Sequence, residues 1–292
     1  MDKKYFVVLF SALVFSFVPV LAQDGCGTVF STSQKTLENS VVISEGKATE
    51  SLPQVNRTLS IAVFVVYSQG NVAGITDVNI QNAINTLNQY FNPIALKFQK
   101  CSVDYIDNYQ LNTELTHAHV SGNKIVISDH EKDLLTLYNV PNTINLYLVN
   151  AITDTVGRPA CGFTYMPGDA GKNSIFVTKS CILDGSTLAH QIGHFLNLYH
   201  TSEISFGVEL INESNCKTAG DRCCDTDADP NLTGQVDNNC VYYGLSKVGT
   251  DFYHPSTKNM MSLSPVNCRC VFSRTQFLRM IDALTRLRTS LH

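Results

Sequence analysis

Long apolar runs and apolar stripes at helical spacing divide the first two thirds of the chain into elements. The run LSIAVFVVY at 59–67 is rich in β-branched and aromatic residues, which predicts a buried strand. Thr76 or Asp77 then provides an N-cap for a helix through Tyr90, whose apolar side chains share one face. Further strands are predicted at 94–98, 124–128, 143–149 and 174–178. This order predicts an α+β fold, in which helices back a mixed sheet.

The last third of the chain has a different pattern. After His200 it is irregular, acidic and rich in cysteine, which predicts a small subdomain that has little apolar core. A helical apolar stripe returns only at the end, where the spacing predicts a helix from Ser273 to about Leu291.

The first residues read as an export signal. Tyr5–Leu21 is apolar apart from two serines, follows two lysines and ends in small residues, so we expect cleavage after Ala22. A membrane anchor is the alternative, because the run approaches spanning length. The polar residues after Ala22 favour cleavage, and no later stretch is long and apolar enough to span a bilayer. We therefore expect a secreted or periplasmic protein without membrane attachment after processing.

Composition agrees with export. Ten cysteines in 292 residues predict disulfides in an oxidising compartment. The formal charge of −4 is mild and the basic residues are scattered, which argues against nucleic acid as a partner. Residues 23–57 are polar and weakly patterned, as in a propeptide. Residues 58–292 are then expected to form one domain, with an upper part to 200 and a lower part from 201.

The chemistry-bearing stretch is STLAHQIGHFLNLYHTS at 186–202. His190 and His194 are four residues apart, so they share one face of a helix and can bind one zinc ion. His200 joins them only if the chain turns sharply, and Asn197 suits such a turn because it tolerates the left-handed conformation. A surface or packing role is the alternative for the first pair alone.

This stretch resembles the metzincin signature H-E-x-x-H-x-x-G-x-x-H, with Gln191 in place of the Glu and Asn197 in place of the Gly. The later Asn-Met-Met-Ser segment resembles the family's Met-turn, with Met261 beneath the metal. Among metzincins the chain is most similar to the pappalysins, on the strings Leu-Tyr-His-Thr at 198–201 and Gly-Asp-Arg-Cys-Cys-Asp-Thr at 220–226, and on the C-terminal tail. The resemblance runs from Leu59 to the C-terminus.

The resemblance implies a metzincin catalytic domain, with a cleft between an upper sheet and a lower subdomain. It implies Zn²⁺ on His190, His194 and His200, and a peptide or protein as substrate or ligand of a monomeric chain. Cys26 stands in an element similar to a pappalysin propeptide, where a thiolate is an extra zinc ligand that keeps the enzyme latent. An ordinary disulfide is the alternative for Cys26.

Cysteines and aspartates of the lower part carry two further expectations. We expect disulfides at Cys216, Cys240, Cys268 and Cys270, and the resemblance implies that Cys216 and Cys268 are each bridged within this region. Asp221, Asp225, Asp227 and Asp229 suit structural Ca²⁺, which pappalysins can carry. A solvated acidic loop is the alternative, because the spacing lacks the EF-hand pattern.

Two departures bear on catalysis. In the family's mechanism the motif Glu moves the proton of the attacking water, and a general base of this kind is worth ~10²–10⁴ in rate. Gln191 does not titrate. Leu263 stands where pappalysins have a Tyr that stabilises the oxyanion, a loss of about 10²–10³.

Three interpretations follow. The chain is a zinc-binding pseudoprotease, or a working peptidase with another base such as Glu203 or Asp184, or an inactivated variant of an active enzyme. Leu263 argues against the third, because one substitution would have sufficed for inactivation.

A strand at 162–168 is expected at the edge of the cleft, where an extended peptide could pair with it.

Overall fold

A computed structural model describes residues 25–28, 30, 34, 37–38, 41, 50–68, 74–113, 115–116, 119–121, 124–126, 129–154, 157–168 and 173–292. The predicted signal peptide at 1–22 lies outside this part of the chain. Among the described residues, no helix has the length and hydrophobicity needed to cross a bilayer.

The upper part contains nine strands and four helices among the described residues. The strands are β1 (Arg57–Tyr67), β2 (Leu96–Asp107), β3 (Leu115–Thr116), β4 (His119–Ser121), β5 (Lys124–Val126), β6 (Ile144–Val149), β7 (Ile152–Thr153), β8 (Gly162–Thr164) and β9 (Ser174–Thr178). The helices are α1 (Asp77–Phe91), α2 (Tyr109–Thr113), α3 (Asp129–Leu137) and α4 (Thr187–Phe195), with 3₁₀ turns at Asn92–Ile94 and Cys181–Leu183.

A five-stranded mixed sheet organises this part, in the order β2-β1-β6-β9-β8. Neighbouring strands run parallel except β8, which pairs antiparallel with β9 at the edge. Both faces of β1 are buried: Ile61, Val63 and Val65 face one apolar core, and Ala62, Phe64 and Val66 face another. Burial on both sides explains why this strand reads as a continuous apolar run.

The first core lies between the sheet and helices α1 and α4, and it continues into the C-terminal helix. Thr76 caps α1 as expected, because its hydroxyl accepts from the Asn79 amide and the Asn79 side chain accepts from the Thr76 amide. The prediction for β2 was wrong at its start, since Ile94 belongs to the 3₁₀ turn. The second residue of this turn is Pro93, which has no N–H to donate and therefore disfavours a strand there.

The lower part has few regular elements, as its composition indicates. It contains the two-residue strands β10 (Lys247–Val248) and β11 (Asp251–Phe252) and the helix α5 (Arg274–Asp282). Ser273 caps α5 in a capping box with Gln276. The predicted helix to Leu291 was too long, because α5 passes into one π-helical turn at Ala283–Leu287.

Candidate metal centre

A polar residue lies near each end of helix α4, Asp184 before it and Asn197 after it. The Asp184 carboxylate accepts from the backbone N–H groups of Ser186 and Thr187, at 2.9 and 2.8 Å, and so satisfies donors at the helix start. Two residues after the helix ends, Asn197 has φ of 72°. This left-handed residue makes the turn that the sequence requires, and it returns the chain toward the helix face that carries His190 and His194.

The turn brings three imidazoles together. The Nε2 atoms of His190 and His194 are 3.1 Å apart, those of His194 and His200 are 3.1 Å apart, and those of His190 and His200 are 3.3 Å apart. His190 and His194 are fully buried. The structure therefore gathers the three predicted ligands, with one nitrogen of each ring directed at a common point.

The opposite ring nitrogens fix the orientation of two of these rings. Nδ1 of His190 donates to the Met260 carbonyl at 2.7 Å, and Nδ1 of His194 donates to the Leu198 carbonyl at 2.8 Å. Each Nε2 is then the unprotonated nitrogen, which is the metal-binding form of a neutral imidazole. Burial lowers the pKa of His190 to about 3, which keeps that ring neutral.

Met261, the methionine of the segment that resembles a Met-turn, packs against Gly193 of α4. Its side chain is fully buried, and a Cβ added to Gly193 would meet its Sδ at 2.5 Å. The segment that carries Met261 also supplies the Met260 carbonyl that holds His190. Helix α4 and the Met-turn thus pack as one unit.

Cys26 reaches the same centre from the N-terminal segment. Its Sγ is 3.3 Å from Nε2 of His194, and its ligand atom and those of the three histidines all lie within 4.8 Å of one another. Desolvation opposes ionisation, but the neighbouring imidazoles outweigh it and hold the pKa of the Cys26 thiol well below its usual value. Cys26 is not in a disulfide.

The backbone around Cys26 follows the outer edge of the sheet. Gly27 N–H donates to the Gly162 carbonyl at 2.9 Å, and Cys161 N–H donates to the Gly25 carbonyl at 2.8 Å. Cys26 forms a parallel bridge with Gly162. The N-terminal segment therefore occupies the edge where the sequence predicts that a peptide could pair, although β8 itself is shorter than the predicted 162–168.

Gln191 faces this segment from α4. Its Nε2 donates to Cys26 Sγ at 3.4 Å, and its Oε1 accepts from the Thr28 hydroxyl at 3.3 Å. Among the described residues, no carboxylate belongs to the group of potential ligands that Cys26 and the three histidines form. Of the two alternative bases, Asp184 is engaged at the start of α4, and Glu203 accepts from Ser205 N–H at 2.6 Å.

Three disulfides lie in the described chain: Cys161–Cys181, Cys216–Cys224 and Cys240–Cys268. Cys216, Cys240 and Cys268 are bonded as expected. The prediction for Cys270 was wrong, because Cys268 takes the sulfur of Cys240 and Cys270 is free and exposed at the surface.

The acidic residues of the lower part separate into different roles. The Asp225 carboxylate accepts from Ser273 and Thr275 at 2.7 and 2.8 Å, and thereby ties its loop to the start of α5. Asp221 is buried, and so is Glu209, which the sequence analysis missed. Among the residues that the structure describes, none forms a hydrogen bond with either carboxylate oxygen of Glu209 or with Oδ2 of Asp221.

Comparison with known proteins identifies the family. Residues 136–285, just over half of the chain, match the peptidase family described as pregnancy-associated plasma protein-A. The chain belongs to this family, the pappalysins. An extracellular metalloprotease of Arthroderma gypseum is 25% identical over 279 residues, which cover 89% of this pappalysin and 84% of that protein. An extracellular metalloprotease of Colletotrichum graminicola is 25% identical over 209 residues, covering 63% and 67% of the two chains.

Solved structures show the same metzincin fold. The mature mirolysin of Tannerella forsythia, in complex with a cleaved peptide, superposes with a TM-score of 0.54 at 16% identity, over 82% of this pappalysin and 96% of that chain. A mirolysin complex with a small compound gives 0.55 at 15% identity, over 83% and 96%. The α+β metzincin architecture expected from the sequence is therefore confirmed, and the chain is a member of a metalloprotease family.

The sequence analysis missed two residues of the N-terminal segment, Phe30 and Glu38. The Phe30 ring packs 4.9 Å from that of Tyr199 and 6.1 Å from that of His194. Glu38 is buried against Arg279 of α5. An aromatic residue and a carboxylate in a polar segment carry no local pattern that would reveal these contacts.

Proposed function

We propose that this pappalysin is an exported zinc-binding protein whose N-terminal residues 23–57, the leader, hold it latent and whose capacity to hydrolyse peptide bonds is impaired by Gln191. The observation that carries the proposal is the convergence of three histidine nitrogens and one cysteine sulfur on a single point. Three imidazoles and a thiolate are a donor set that zinc favours, and four donors match its preferred coordination number.

The surroundings of the ligands support this fit. Two of the rings are fixed by carbonyl acceptors, so their free nitrogens are already aimed before a metal arrives. A zinc ion held by three imidazoles would make a water acidic and polarise a peptide carbonyl. The protein's own contribution is to hold the three rings in place, with their Nε2 atoms close together.

The leader blocks this centre in two ways. Cys26 supplies the fourth donor and so takes the position that a water needs. Its neighbours Gly25 and Gly27 make the hydrogen bonds at the β8 edge that an extended peptide would otherwise make. We therefore assign residues 23–57 as a propeptide, and residues 58–292 as the domain that remains after processing.

Gln191 would leave the zinc site intact while removing proton transfer. Its amide lies at the thiol, in the place from which a glutamate would act as base, but it cannot exchange a proton at neutral pH. The other carboxylates considered as bases have structural partners of their own. A role in capturing peptides without efficient cleavage follows from these two facts.

The metal assignment is tested by elemental analysis of the purified chain. We expect about one zinc per chain, and a sharp fall in His194→Ala because three ligands are needed for a tight site. His254→Ala is the matched control, since His254 is exposed and outside the cluster. A wild-type chain that contains no zinc and cannot take it up would contradict the proposal.

Latency is tested by alkylation and peptide mapping under native conditions. Cys26 should resist alkylation until zinc is chelated, because a coordinated thiolate is protected. Cys101 is free and exposed, so it should react equally with and without chelator and serves as an internal control. Recovery of Cys26 in a disulfide-linked peptide would rule out the switch.

We also assign a structural calcium ion to Glu209 and Asp221. Burial, with repulsion from nearby acidic groups, raises the pKa of Glu209 to about 8, and burial raises that of Asp221 to about 7. Unpartnered carboxylate oxygens in a buried site are what a hard cation would satisfy. A left-handed glycine, Gly220, lets the Glu209 side chain approach, since a Cβ there would lie 2.9 Å from that of Glu209.

The remaining assignments follow from export and family. The relatives are named extracellular metalloproteases, which supports a predicted secreted or periplasmic location. Peptides or proteins are the proposed substrates or ligands, and a monomer is the proposed state. No role in nucleic-acid binding is proposed.

A further inference from the structure

The Glu38 side chain ends in a second buried pocket, outside the group of potential metal ligands. Its Oε1 accepts from Nη1 of Arg279 at 2.6 Å. Its Oε2 is 3.3 Å from Nδ2 of Asn197 and 3.5 Å from the Tyr199 hydroxyl, both of which donate to it. Arg222 adds a second guanidinium, with Nη1 3.7 Å from Oε1. Glu38 is 1% exposed, so both carboxylate oxygens are enclosed by donors.

The donors belong to the body of the domain and hold one another in place. Nη2 of Arg279 donates to the Asn197 carbonyl at 3.1 Å, and its guanidinium carbon lies 5.5 Å from the centre of the Tyr199 ring. Arg279 is itself 2% exposed and stays charged at any physiological pH. The pocket is thus built around a permanent buried cation, and only its anion comes from the leader.

A cation in this position requires an anion. When one partner of a buried ion pair is removed, the remaining charge is left without compensation, and this is strongly unfavourable. If processing removes the leader, Arg279 therefore remains buried without the Glu38 carboxylate, and the donors that bound this carboxylate lose their acceptor.

The same leader covers this pocket and the metal centre. Asn197 and Tyr199 lie between the ligands His194 and His200 in the chain. Tyr199 packs against Phe30, and the Phe30 ring is 6.4 Å from that of His200. Displacement of the leader would uncover both sites together, so a peptide at the metal centre would lie next to the vacated donors.

We propose that Arg279, Arg222, Asn197 and Tyr199 form a carboxylate-binding pocket that recognises an acidic side chain. Glu38 fills it in the latent chain, and an aspartate or glutamate of a bound peptide fills it once the leader has left. This proposal depends on the proposed function in one respect, which is that the leader must leave before a peptide can enter the pocket. Carboxylate recognition by a guanidinium with neighbouring donors requires no metal.

The test uses the full chain with Glu38→Ala, which empties the pocket without removing the leader. We expect its Tm to fall by at least about 5 °C, because Arg279 loses its anion. Propionate, which matches the end of a glutamate side chain, should then raise the Tm in a saturable way. Propionamide, its neutral analogue, and chloride at equal ionic strength should not. Glu50→Ala is the matched control, because it removes the same charge from an exposed leader position.

A double variant, Glu38→Ala with Arg279→Met, should lose the response to propionate. The proposal is overturned if Glu38→Ala has the same Tm as the wild type, or if propionamide raises the Tm of Glu38→Ala as much as propionate does. It is also overturned if propionate still raises the Tm of the double variant. If Glu38→Ala is recovered unfolded, refolding yields in propionate and propionamide make the same distinction: a higher yield in propionate supports the pocket, and equal yields overturn it. The same measurements are made with and without a zinc chelator. A response to propionate that persists in chelator shows that the pocket binds carboxylate whether or not the chain binds zinc.

Discussion

Gly193 of α4 lies directly against the thioether of Met261. A Cβ at this position would approach Sδ to 2.5 Å and a methyl group of Leu198 to 3.4 Å. The helix that carries His190 and His194 can therefore rest on the Met-turn only because residue 193 has no side chain. This contact sets the distance between His194 and the segment that holds His190 through its carbonyl.

Gly193→Ala should destabilise the fold despite the better helix propensity of alanine. Propensity would contribute roughly 1 kcal/mol in favour of Ala, but overpacking a filled core costs ~1–3 kcal/mol. Met261 is fully buried, so we expect the overpacking to win, with a net loss of about 1 kcal/mol in urea unfolding. In a Met261→Ala background the same change should become neutral or stabilising. A loss of equal size in both backgrounds would show that the contact is not the cause.

Asn197 provides a second local test, because its φ of 72° is costly for most residues. Asn197→Ala should lose about 2 kcal/mol of unfolding free energy, from left-handed strain of ~1–2 kcal/mol and one lost hydrogen bond of about 1 kcal/mol. Asn197→Gly loses only the hydrogen bond to Glu38 and should cost no more than about 1 kcal/mol. Denaturation of the two variants side by side measures the strain. Equal losses would mean that the backbone conformation contributes nothing.

Local patterns predicted much of the scaffold of the metal centre. The four-residue spacing of His190 and His194, and the tolerance of Asn197 for positive φ, are properties of neighbouring residues. They predicted a helix, its end and a turn, and the structure has all three. The continuous apolar run at β1 likewise predicted burial on both faces, because a strand covered on one face would alternate.

Contacts between distant parts of the chain could not be predicted in this way. Glu38 and Arg279 are 241 residues apart, and neither stands in a pattern that marks its partner. The pairing of Cys161 with Cys181 depends on the meeting of the β8 edge with the turn before α4, which is a tertiary event. Cys270 was assigned to a disulfide from regional cysteine density alone, which does not report the direction of a side chain.

Calcium should stabilise the chain through Glu209 and Asp221. In chelator-treated protein, millimolar calcium should raise the Tm by about 5 °C, because it binds the folded state only. Glu209→Gln should melt higher than wild type without calcium, since it removes repulsion between buried acids, and it should respond little to the ion. Glu213→Gln is the matched control, as Glu213 is acidic, nearby and exposed, and it should keep the full response. Equal responses in the two variants would remove Glu209 from the site.

The presence of Gln191 in place of the motif Glu predicts a large catalytic defect, which substitutions at two positions should reverse step by step. The unaltered chain should hydrolyse casein or a quenched peptide library at least about a thousandfold more slowly than an active relative, since loss of the general base alone costs ~10²–10⁴ in rate. Gln191→Glu should recover only part of this, because Leu263 still offers the oxyanion no hydrogen bond. Adding Leu263→Tyr should recover more, and the two gains need not add, because both residues act on one transition state.

The unaltered chain, the single variants Gln191→Glu and Leu263→Tyr, and the double variant are best compared in a Cys26→Ala background after limited proteolysis of the leader, so that a blocking thiol does not mask the gains. Zinc content should be the same in all four, because neither Gln191 nor Leu263 supplies a ligand atom to the cluster. Initial rates with and without chelator then isolate proton transfer from metal binding. Vigorous, chelator-sensitive cleavage by the chain that keeps both Gln191 and Leu263 would show that another group takes the proton. Asp184 and Glu203 would be the first to replace, each by its amide.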